Sequence, residues 1–423
     1  MADIAFPRGV RDLLPNEALF RNELLRKIED TFQLFGFLSI DTPSFESLKV
    51  LKAKSAIGSD SKLIYELKEE QLGLRYDMTM SLARYMAMHQ ELPLPFKRYY
   101  IGKVWRREEP QRLRYREITQ ADADIIGGNG PNANAEVIAV AARALEGMGL
   151  DYIVCVNDRK VIDGVLLKFG IPGSKLVEVM RSLDKLDKIG EQGVVGLLKG
   201  LELDSSIIDQ VASFIALKGS DNTKLDYVDN LLGNGESTKD LRATLTLLKG
   251  YSLKGDIRVD FSTVRGLDYY TGIVFEYKSA DDQSVSIAGG GRYDNLIGLF
   301  SPKQVPAVGV SFGVDRILEM MNYTSSTKYT YAKVFVANVN EKNYAYALKI
   351  ANQLRSEGLP TDVNTASRNL SNQFAYASSI KTKYVAIVGD VEEKAGKVKL
   401  RNLISGKEEI LSVDDAVKEI KGE

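Results

Sequence analysis

A long helical stretch interrupts the strands of this chain, and it limits the possible folds more than any other feature. From Asn157 to about Gly250, apolar residues recur at helical spacing and glycines break the runs, while β-branched alternation disappears. Strand patterns lie on both sides of it, at Gly73–Thr79, Lys97–Arg107, Tyr115–Ile125, Ile257–Phe261, Tyr269–Lys278, Val285–Ala288 and Ala307–Gly313. The pattern predicts an α+β fold, with a mixed antiparallel core around a helical insertion.

Helices are predicted beside the first block of strands. From Asn16 to Phe35, apolar residues recur every four positions, which indicates an amphipathic helix. A strand is predicted next, and it ends at Pro43. A further helix is predicted from Ala135 to about Met148, with its apolar residues on one face.

The last part of the chain has a different organisation. A polar linker, Tyr323–Lys328, precedes alternating strand and helix patterns, which predict a small α/β unit. Its predicted elements are Lys333–Asn338, Tyr344–Ser356, Thr361–Asn364, Leu370–Ile380 and Tyr384–Gly389. We therefore predict a core of residues 1–157 and 250–323, an insertion of residues 158–249, and a C-terminal domain of residues 330–423.

Composition excludes several classes of protein. A chain of 423 residues is too long for one core, and 44% hydrophobic with 27% charged residues fits an ordinary globular protein. No apolar run is long enough to span a bilayer, and Met1–Val10 lacks the apolar region of a secretory signal. The single cysteine, Cys155, rules out internal disulfides, so the expected location is the cytoplasm.

Charge and histidine content narrow the chemistry. The 56 basic and 57 acidic residues leave a net charge of −1, which neither requires nor excludes an RNA partner. From Lys328 onward, 15 basic residues stand against 12 acidic ones, a mild excess that is compatible with RNA. With one histidine, His89, a His/Cys zinc site and a Ser-His-Asp triad are both improbable, and we predict no metal-binding side chains.

The segment Tyr99–Asp124 carries the strongest signal for a ligand. Neither a phosphate-binding P-loop nor a G-x-G-x-x-G motif occurs, so any nucleotide must be held differently. Strand alternation places arginines at one end of a hairpin face and an amide with carboxylates at the other: Arg106, Arg114, Arg116, Gln120, Asp122 and Asp124. Such a face could hold a zwitterionic small molecule beside a polyphosphate. A solvated hairpin with surface ion pairs is the alternative, and these residues alone leave the two about equal.

Four shorter motifs each have an ordinary structural explanation as well. Arg75, Asp77 and Thr79 alternate in LRYDMT and offer a second polar face, although an edge strand with an outward ion pair has the same pattern. Thr263–Gly272 has an arginine beside a glycine, which suits a loop that presents charge to a buried ligand. A plain turn with a surface arginine is the ordinary explanation. Ala288–Asp294 has three glycines that let a backbone approach a ligand, or make a tight turn. Gly309–Arg316 runs from a strand into a helix with an arginine in its first turn.

Together and in this order, these motifs resemble one family. The helix and strand ending at Pro43, the Arg106 hairpin and GVSFGVDR resemble motifs 1, 2 and 3 of class II aminoacyl-tRNA synthetases. The peptides RGLDYYTG and AGGGRYD resemble the two signatures peculiar to histidyl-tRNA synthetases, and LRYDMT resembles that family's amino-acid-binding strand. The resemblance implies a class II antiparallel catalytic core with a helical insertion and a C-terminal α/β anticodon-binding domain.

The resemblance also implies residue roles. Asp77, Thr79 and Gln120 would hold the α-amino group of histidine, and Asp124 and Tyr270 the imidazole, with Tyr269 beside them. Two catalytic arginines are implied: Arg106 on the α-phosphate, and Arg265 between that phosphate and the histidine carboxylate. The outer phosphates would contact Arg114 and Arg316, and Tyr293 and Arg116 would line the pocket.

Cofactors and partners follow from the same resemblance. It implies activation of histidine with ATP and Mg²⁺, transfer to tRNA(His), and a homodimer. Asp77 and Asp124 stand where many bacterial relatives carry glutamate, and RREEP, Arg106–Pro110, replaces the commoner R-H-E-R-P. The alternatives are a non-catalytic, histidine-binding regulatory paralogue of ATP phosphoribosyltransferase, another class II synthetase, and an ATP-dependent ligase without an RNA partner.

Overall fold

The computed structural model describes residues 5–53, 62–68, 70–111, 114–265, 269–321, 329–366 and 368–422. The chain divides into two compact units, one of Met1–Arg11 with Leu24–Met320 and the other of Asp12–Glu23 with Met321–Glu423. The predicted linker, Tyr323–Lys328, lies outside the described residues, as do Gly266–Asp268 and Arg112. The predicted boundaries of core, insertion and C-terminal domain remain predictions.

Up to Met320, the described residues form two groups of strands separated by a run of helices. The strands are β1 (Leu38–Ser39), β2 (Phe45–Ser47), β3 (Glu66–Leu67), β4 (Leu72–Leu74), β5 (Phe96–Trp105), β6 (Glu117–Ile126), β7 (Tyr152–Asp158), β8 (Asp256–Val259), β9 (Ile273–Ser279), β10 (Ser286–Arg292) and β11 (Ala307–Gly313). The helices are α1 (Pro15–Leu34), α2 (Leu48–Leu51), α3 (Thr79–Met88), α4 (Gly130–Met148), α5 (Arg159–Lys168), α6 (Leu176–Leu183), α7 (Leu186–Lys199), α8 (Ser205–Ile215), α9 (Asp221–Leu232), α10 (Glu236–Leu248) and α11 (Val314–Met320).

The main sheet brings both blocks of strands together. Its order is β1-β5-β6-β11-β10-β9-β7-β8, and neighbours are antiparallel except for the parallel pairs β1 with β5 and β7 with β8. The predicted α+β class with a mixed antiparallel core is confirmed. The second block of strands lies directly beside the hairpin of the first, because β11 pairs with β6.

The apolar residues that predicted α1 and α4 face the core. Leu24, Ile28 and Phe32 of α1 are buried, and α4 has a largely buried apolar face. Helix α4 is capped at its C-terminal end by Gly149, whose φ of +78° is a left-handed conformation that favours glycine. Helix α4 packs against β6, β10 and β11, and the ring of Phe32 in α1 contacts Tyr99 of β5 and Phe312 of β11.

Helices α5–α10 occupy the stretch between β7 and β8. The apolar side chains of α5–α8 form a buried cluster of their own, which also includes Val264. Strands β7 and β8 are neighbours and pair in parallel, so the chain leaves the sheet at the end of β7 and returns beside the start of that strand. Strand β7 was not predicted from the sequence. The predicted change to helical spacing begins at Asn157, near the end of this strand.

Two predicted strands are much shorter in the structure. Strand β4 ends at Leu74, and Thr79 begins helix α3, so the expected alternation across Gly73–Thr79 is wrong. The carboxylate of Asp77 accepts a hydrogen bond from the backbone N–H of Met80 at 3.1 Å, which favours a helical turn there. The strand expected before Pro43 is reduced to Leu38–Ser39.

The C-terminal part has a separate sheet and core. Its strands are β12 (Val334–Asn338), β13 (Thr361–Val363), β14 (Tyr384–Val388), β15 (Val398–Asn402) and β16 (Glu408–Leu411), in the order β13-β12-β14-β15-β16. Its helices are α12 (Tyr344–Ser356), α13 (Leu370–Ser379), α14 (Asp390–Ala395) and α15 (Val413–Lys421). The predicted α/β unit is confirmed, although β15, β16, α14 and α15 were not foreseen. Among the described residues, no helix combines the length and apolarity needed to cross a membrane.

Candidate active site

A cavity of about 420 Å³ opens above the centre of the main sheet. Strands β6, β10 and β11 form its floor, and the loops before α3 and β9 form its walls. It brings together every predicted site residue except Arg116: Asp77, Thr79, Arg106, Arg114, Gln120, Asp124, Arg265, Tyr269, Tyr270, Tyr293 and Arg316. Residues that are far apart in the sequence thus share one concave surface.

One end of the cavity is acidic and buried. Asp124 pairs with Arg98 at 2.5 Å and accepts a hydrogen bond from the hydroxyl of Tyr293. Gln120 donates to Ser311 Oγ at 2.7 Å. Burial raises the pKa of Asp124, and Arg98 opposes that rise by favouring the charged form. These contacts fix the polar groups of β6 before any ligand arrives.

Arg98 is a site residue that sequence reasoning missed. It lies opposite Asp124 in the β5–β6 pair, and only 1% of its surface is exposed. Strand alternation from Gly102 and Arg106 would have put it on the same face. The identity of its partner, however, depends on the register of the hairpin.

Three tyrosines form one wall of the acidic end. The rings of Tyr269 and Tyr270 have centroids 4.9 Å apart, and Tyr293 meets Tyr269 edge-on at 5.8 Å. The hydroxyl of Tyr269 also hydrogen-bonds with Thr79. Burial raises the pKa of all three phenols, so they remain neutral hydrogen-bonding groups.

The other end of the cavity gathers positive charge. Arg106 donates to the carbonyl of Tyr76 at 3.0 Å, and Arg316 donates to the carbonyl of Ser286 at 3.0 Å. The pKa of Arg316 is lowered, first by burial and then by the nearby charges of Arg114, Arg106 and Arg265. These positive charges repel one another, and a bound anion would offset the repulsion. This end of the cavity is therefore suited to a polyphosphate.

The glycines of β10 and β11 make room for the site's own side chains. A Cβ atom on Gly289 would lie 2.1 Å from Arg265 Nη1, and one on Gly309 would lie 1.8 Å from Asp124 Oδ1. Gly291 likewise faces the ring of Tyr270, at 2.7 Å from such an atom. The sequence hypotheses for the triple glycine were backbone approach to a ligand and a tight turn. The structure gives a third reason, which is space for Arg265 and Tyr270.

Arg116 does not line the cavity, contrary to the expectation. It precedes β6, and its guanidinium donates to the carbonyls of Glu108 at 2.9 Å and Arg8 at 3.3 Å. Its backbone N–H donates to Gly9 O at 2.7 Å. Arg116 therefore holds the N-terminal segment against the loop of the hairpin.

The helical insertion contributes to the cavity, although the sequence gave no reason to assign it any chemistry. Asp184 and Lys188, at the junction of α6 and α7, belong to the lining. They also line an adjoining cavity of about 580 Å³, together with Glu276 and Lys278 of β9. Lys278 pairs with Asp187 at 2.8 Å, which ties this junction to the sheet.

The one histidine and the one cysteine of the chain do not line this cavity. His89 follows α3 and contacts Glu91, and Cys155 is buried in β7 with its pKa raised by burial to about 11. Within the described ranges, no cluster of three His, Cys, Asp or Glu side chains could hold a metal ion by itself.

The fold and the cavity define a class of protein. A largely antiparallel sheet that carries an arginine-bearing hairpin, followed by a glycine-containing strand and a helix with Arg316, is the architecture of class II aminoacyl-tRNA synthetases. A model of the histidyl-tRNA synthetase family matches residues 9–317, and a model of an anticodon binding domain matches residues 333–423. The chain belongs to the histidyl-tRNA synthetase family.

Relatives support this assignment over the whole chain. A histidine–tRNA ligase of Korarchaeum cryptofilum is 40% identical over 97% of this chain and 100% of its own length. One of Aeropyrum pernix is 37% identical over 98% of this chain and 97% of its own length. The crystal structure of histidyl-tRNA synthetase from Nostoc sp. PCC 7120 superposes with a TM-score of 0.88 at 29% identity and covers both chains completely.

A structure described as an ATP phosphoribosyltransferase regulatory subunit/histidyl-tRNA synthetase, from Bacillus halodurans, is also similar. It has a TM-score of 0.77 at 22% identity and covers 92% of this chain and 99% of its own, which shows the shared fold alone. It does not favour the regulatory alternative.

Proposed function

We propose that this chain, a histidine–tRNA ligase by family, activates histidine with ATP in the described cavity and transfers it to tRNA(His). The observation that carries this proposal is the polarity of the cavity. Buried carboxylates, an amide and tyrosine hydroxyls lie at one end, and four arginines lie at the other. An amino acid and a triphosphate fit side by side, each against groups of complementary charge.

Activation is an in-line attack of the histidine carboxylate on the α-phosphorus of ATP, and pyrophosphate leaves. A carboxylate is ionised at neutral pH, so the step needs no general base. The difficulty is electrostatic, because two anions approach and charge develops on the phosphoryl group. Fixed guanidinium groups stabilise that charge, and losing one such donor typically costs about 3–4 kcal/mol.

Two arginines are the proposed catalytic residues. Arg106 is held by its bond to the Tyr76 carbonyl, so its remaining N–H groups are oriented for the α-phosphate. Arg265 lies 3.3 Å from Glu276 and borders both ends of the cavity, where the carboxylate meets the phosphate. Arg114 and Arg316 then contact the outer phosphates.

Histidine is recognised at the acidic end. Asp77, Thr79 and Gln120 bind its α-amino group, and Asp124 and Tyr270 bind the imidazole beside Tyr269 and Tyr293. A site that hydrogen-bonds a polar ring rejects an apolar isostere, because the buried groups would be left unpaired. Discrimination of about 10⁴-fold is then possible without editing.

Mg²⁺ enters with the nucleotide in this proposal. Mg²⁺ commonly keeps several waters and binds through one or two carboxylates together with substrate phosphates. Glu276 is a carboxylate beside the arginine end, which suits that kind of site better than a cage of protein ligands. The bound ion would neutralise charge on the phosphates.

The remaining assignments concern tRNA and assembly. The match of residues 333–423 to an anticodon binding domain supports a role of the C-terminal domain in reading the anticodon. The insertion, residues 158–249, would lie near the acceptor stem. A homodimer through motif 1 and a cytoplasmic location complete the proposal.

One assay tests the function directly. The purified chain is incubated with ATP, Mg²⁺, labelled pyrophosphate and each of the twenty amino acids in turn. We expect ATP–pyrophosphate exchange with histidine alone, and charging of tRNA(His) when that tRNA is supplied. No exchange with any amino acid would support the regulatory alternative, and exchange with another amino acid would support a different synthetase.

A further inference from the structure

Asp122 has no role in the proposal so far, yet it lies in the middle of the pocket floor. It sits on β6 between Gln120 and Asp124, opposite Ser311 of β11. Only 4% of its surface is exposed, and it lines the cavity. Its Oδ1 atom accepts no hydrogen bond from the part of the chain that the structure describes. A buried carboxylate oxygen without a donor is costly, so a ligand is the expected partner.

The charges around Asp122 do not balance within the protein. Arg98 is the nearby cation that acts on Asp122, but it is paired with Asp124 at 2.5 Å. Asp77 adds a further negative charge from the loop before α3. The other titratable groups at this end are the phenols Tyr76, Tyr269, Tyr270 and Tyr293. Arg265 reaches Tyr270 from the other end of the cavity, but its guanidinium is paired with Glu276 at 3.3 Å.

A zwitterionic amino acid supplies only part of the missing positive charge. Its ammonium group compensates one carboxylate, for which Asp77 is the proposed partner. A second positive charge is needed opposite Asp122 once its carboxyl is ionised. An imidazole ring, with a reference pKa of about 6.5, can carry that charge in water near neutrality.

We propose that Asp122 is a third histidine-binding carboxylate and that the pocket holds histidine as the imidazolium ion. Asp122 faces one ring N–H, while Asp124 and Tyr270 face the other. This inference rests on the proposed function, because it assigns the protonation state of the same substrate.

The proton for the ring comes from Asp122 where that carboxyl is protonated, and from solvent where it is ionised. Burial raises the pKa of this carboxyl to about 7, so a large fraction is protonated in the free enzyme at neutral pH. When neutral imidazole enters, the carboxyl proton moves to the ring nitrogen and leaves a carboxylate–imidazolium pair. Proton and charge are conserved in this transfer; at pH 8, where most of Asp122 is already ionised, the ring takes its proton from solvent instead.

The first test uses the wild-type chain. Histidine labelled with ¹⁵N in both ring positions is bound at pH 8, where the free ring is mostly neutral, and its nitrogen shifts are recorded. We expect both bound nitrogens to have the shifts of protonated N–H groups. One protonated and one unprotonated nitrogen would overturn the proposal.

The second test compares Asp122→Asn with wild type in the exchange assay, using histidine and the weakly basic analogue triazolylalanine. We expect the variant to raise the KM for histidine by about 10- to 100-fold, while the KM for triazolylalanine changes less than about threefold. Equal rises for both would assign Asp122 to the ammonium group and contradict the imidazolium. An unchanged KM for histidine would remove Asp122 from binding.

Two controls keep these outcomes separate. Asp209→Asn removes a carboxylate from the surface of α8 and should leave both KM values unchanged. The KM for ATP and the thermal denaturation midpoint report whether Asp122→Asn keeps its fold. Absence of histidine-dependent exchange in the wild type would refute the proposed function, whereas a normal wild type with an unaffected variant refutes only the inference.

Discussion

The guanidinium group of Arg265 lies against the backbone of Gly289, where a Cβ atom would come within 2.1 Å of Arg265 Nη1. Arg265 itself has a φ of +52°, a left-handed conformation that is unusual for a residue with a side chain. The left-handed backbone of Arg265 and the space beside Gly289 thus hold one cation over the cavity. The two signature peptides of the sequence meet at this contact.

Gly289→Ala is expected to inactivate the site by displacing Arg265. The added methyl group occupies the space of Nη1, so the guanidinium must move away from the carboxylate and phosphate. We expect the rate of histidine-dependent exchange to fall by roughly 10- to 1,000-fold. The largest fall corresponds to complete loss of a preorganised donor. Steady-state exchange kinetics measure this, and wild-type rates would contradict the role given to the contact.

Gly196→Ala is the matched control. Gly196 lies inside α7, and an added Cβ meets nothing within 4 Å. Alanine favours a helix interior by about 0.5–1 kcal/mol over glycine. The control should therefore keep full exchange and unfold at a slightly higher urea concentration.

Arg265→Ala should keep the fold but slow histidine-dependent exchange by roughly 100- to 1,000-fold. The loss should appear mainly in kcat, because the charge is needed most in the transition state. Arg355→Ala, in the C-terminal α12, is the control and should leave exchange unchanged. Near-normal exchange by Arg265→Ala would remove this arginine from the mechanism.

Asp158→Asn is expected to change how stability depends on pH. Asp158 caps α5 by accepting from Lys160 N at 2.8 Å, and burial raises its pKa from 3.8 to about 7. Because the pKa of Asp158 is higher in the folded chain than in the unfolded chain, this carboxyl favours folding at low pH. That contribution to the free energy of unfolding is lost as the pH rises towards 7. The wild type should lose about 2–3 kcal/mol from this group between pH 5 and pH 8.

The asparagine variant lacks that titration but can keep the cap. Urea unfolding at pH 5 and pH 8 measures the difference, and the variant should gain stability relative to wild type at the higher pH. An identical difference at both pH values would show that Asp158 titrates normally in the folded chain.

Truncation near Tyr323 separates the two proposed parts of the reaction. The shortened chain should retain histidine-dependent exchange but lose most charging of tRNA(His), because it lacks the domain matched to anticodon binding. Exchange and aminoacylation are measured on the same preparation, so exchange serves as the internal control. Full charging by the truncated chain would show that the C-terminal assignment is wrong.

Much of the fold could be predicted because hydrophobic periodicity reports which faces are buried. Strand β11 and helix α12 begin and end at the predicted residues, since both have regular patterns. Strand β4 was overextended, because Asp77 turns the chain into α3 through a local hydrogen bond that alternation does not reveal. Strand β7 was not predicted, because the helical spacing of apolar residues begins at its C-terminal end.

The sequence by itself determined the chemical groups of the site and the family to which they belong. Motifs such as Arg106–Pro110 and Arg265–Gly272 specify residue types, and local alternation indicates which of them share a face. Only the tertiary structure decided that Arg98 neutralises Asp124, that Arg116 is turned away, and that Asp122 is left with an unsatisfied oxygen. The reason is physical: partner, burial and charge balance depend on strand register and on neighbours far away in the chain, which no local pattern encodes.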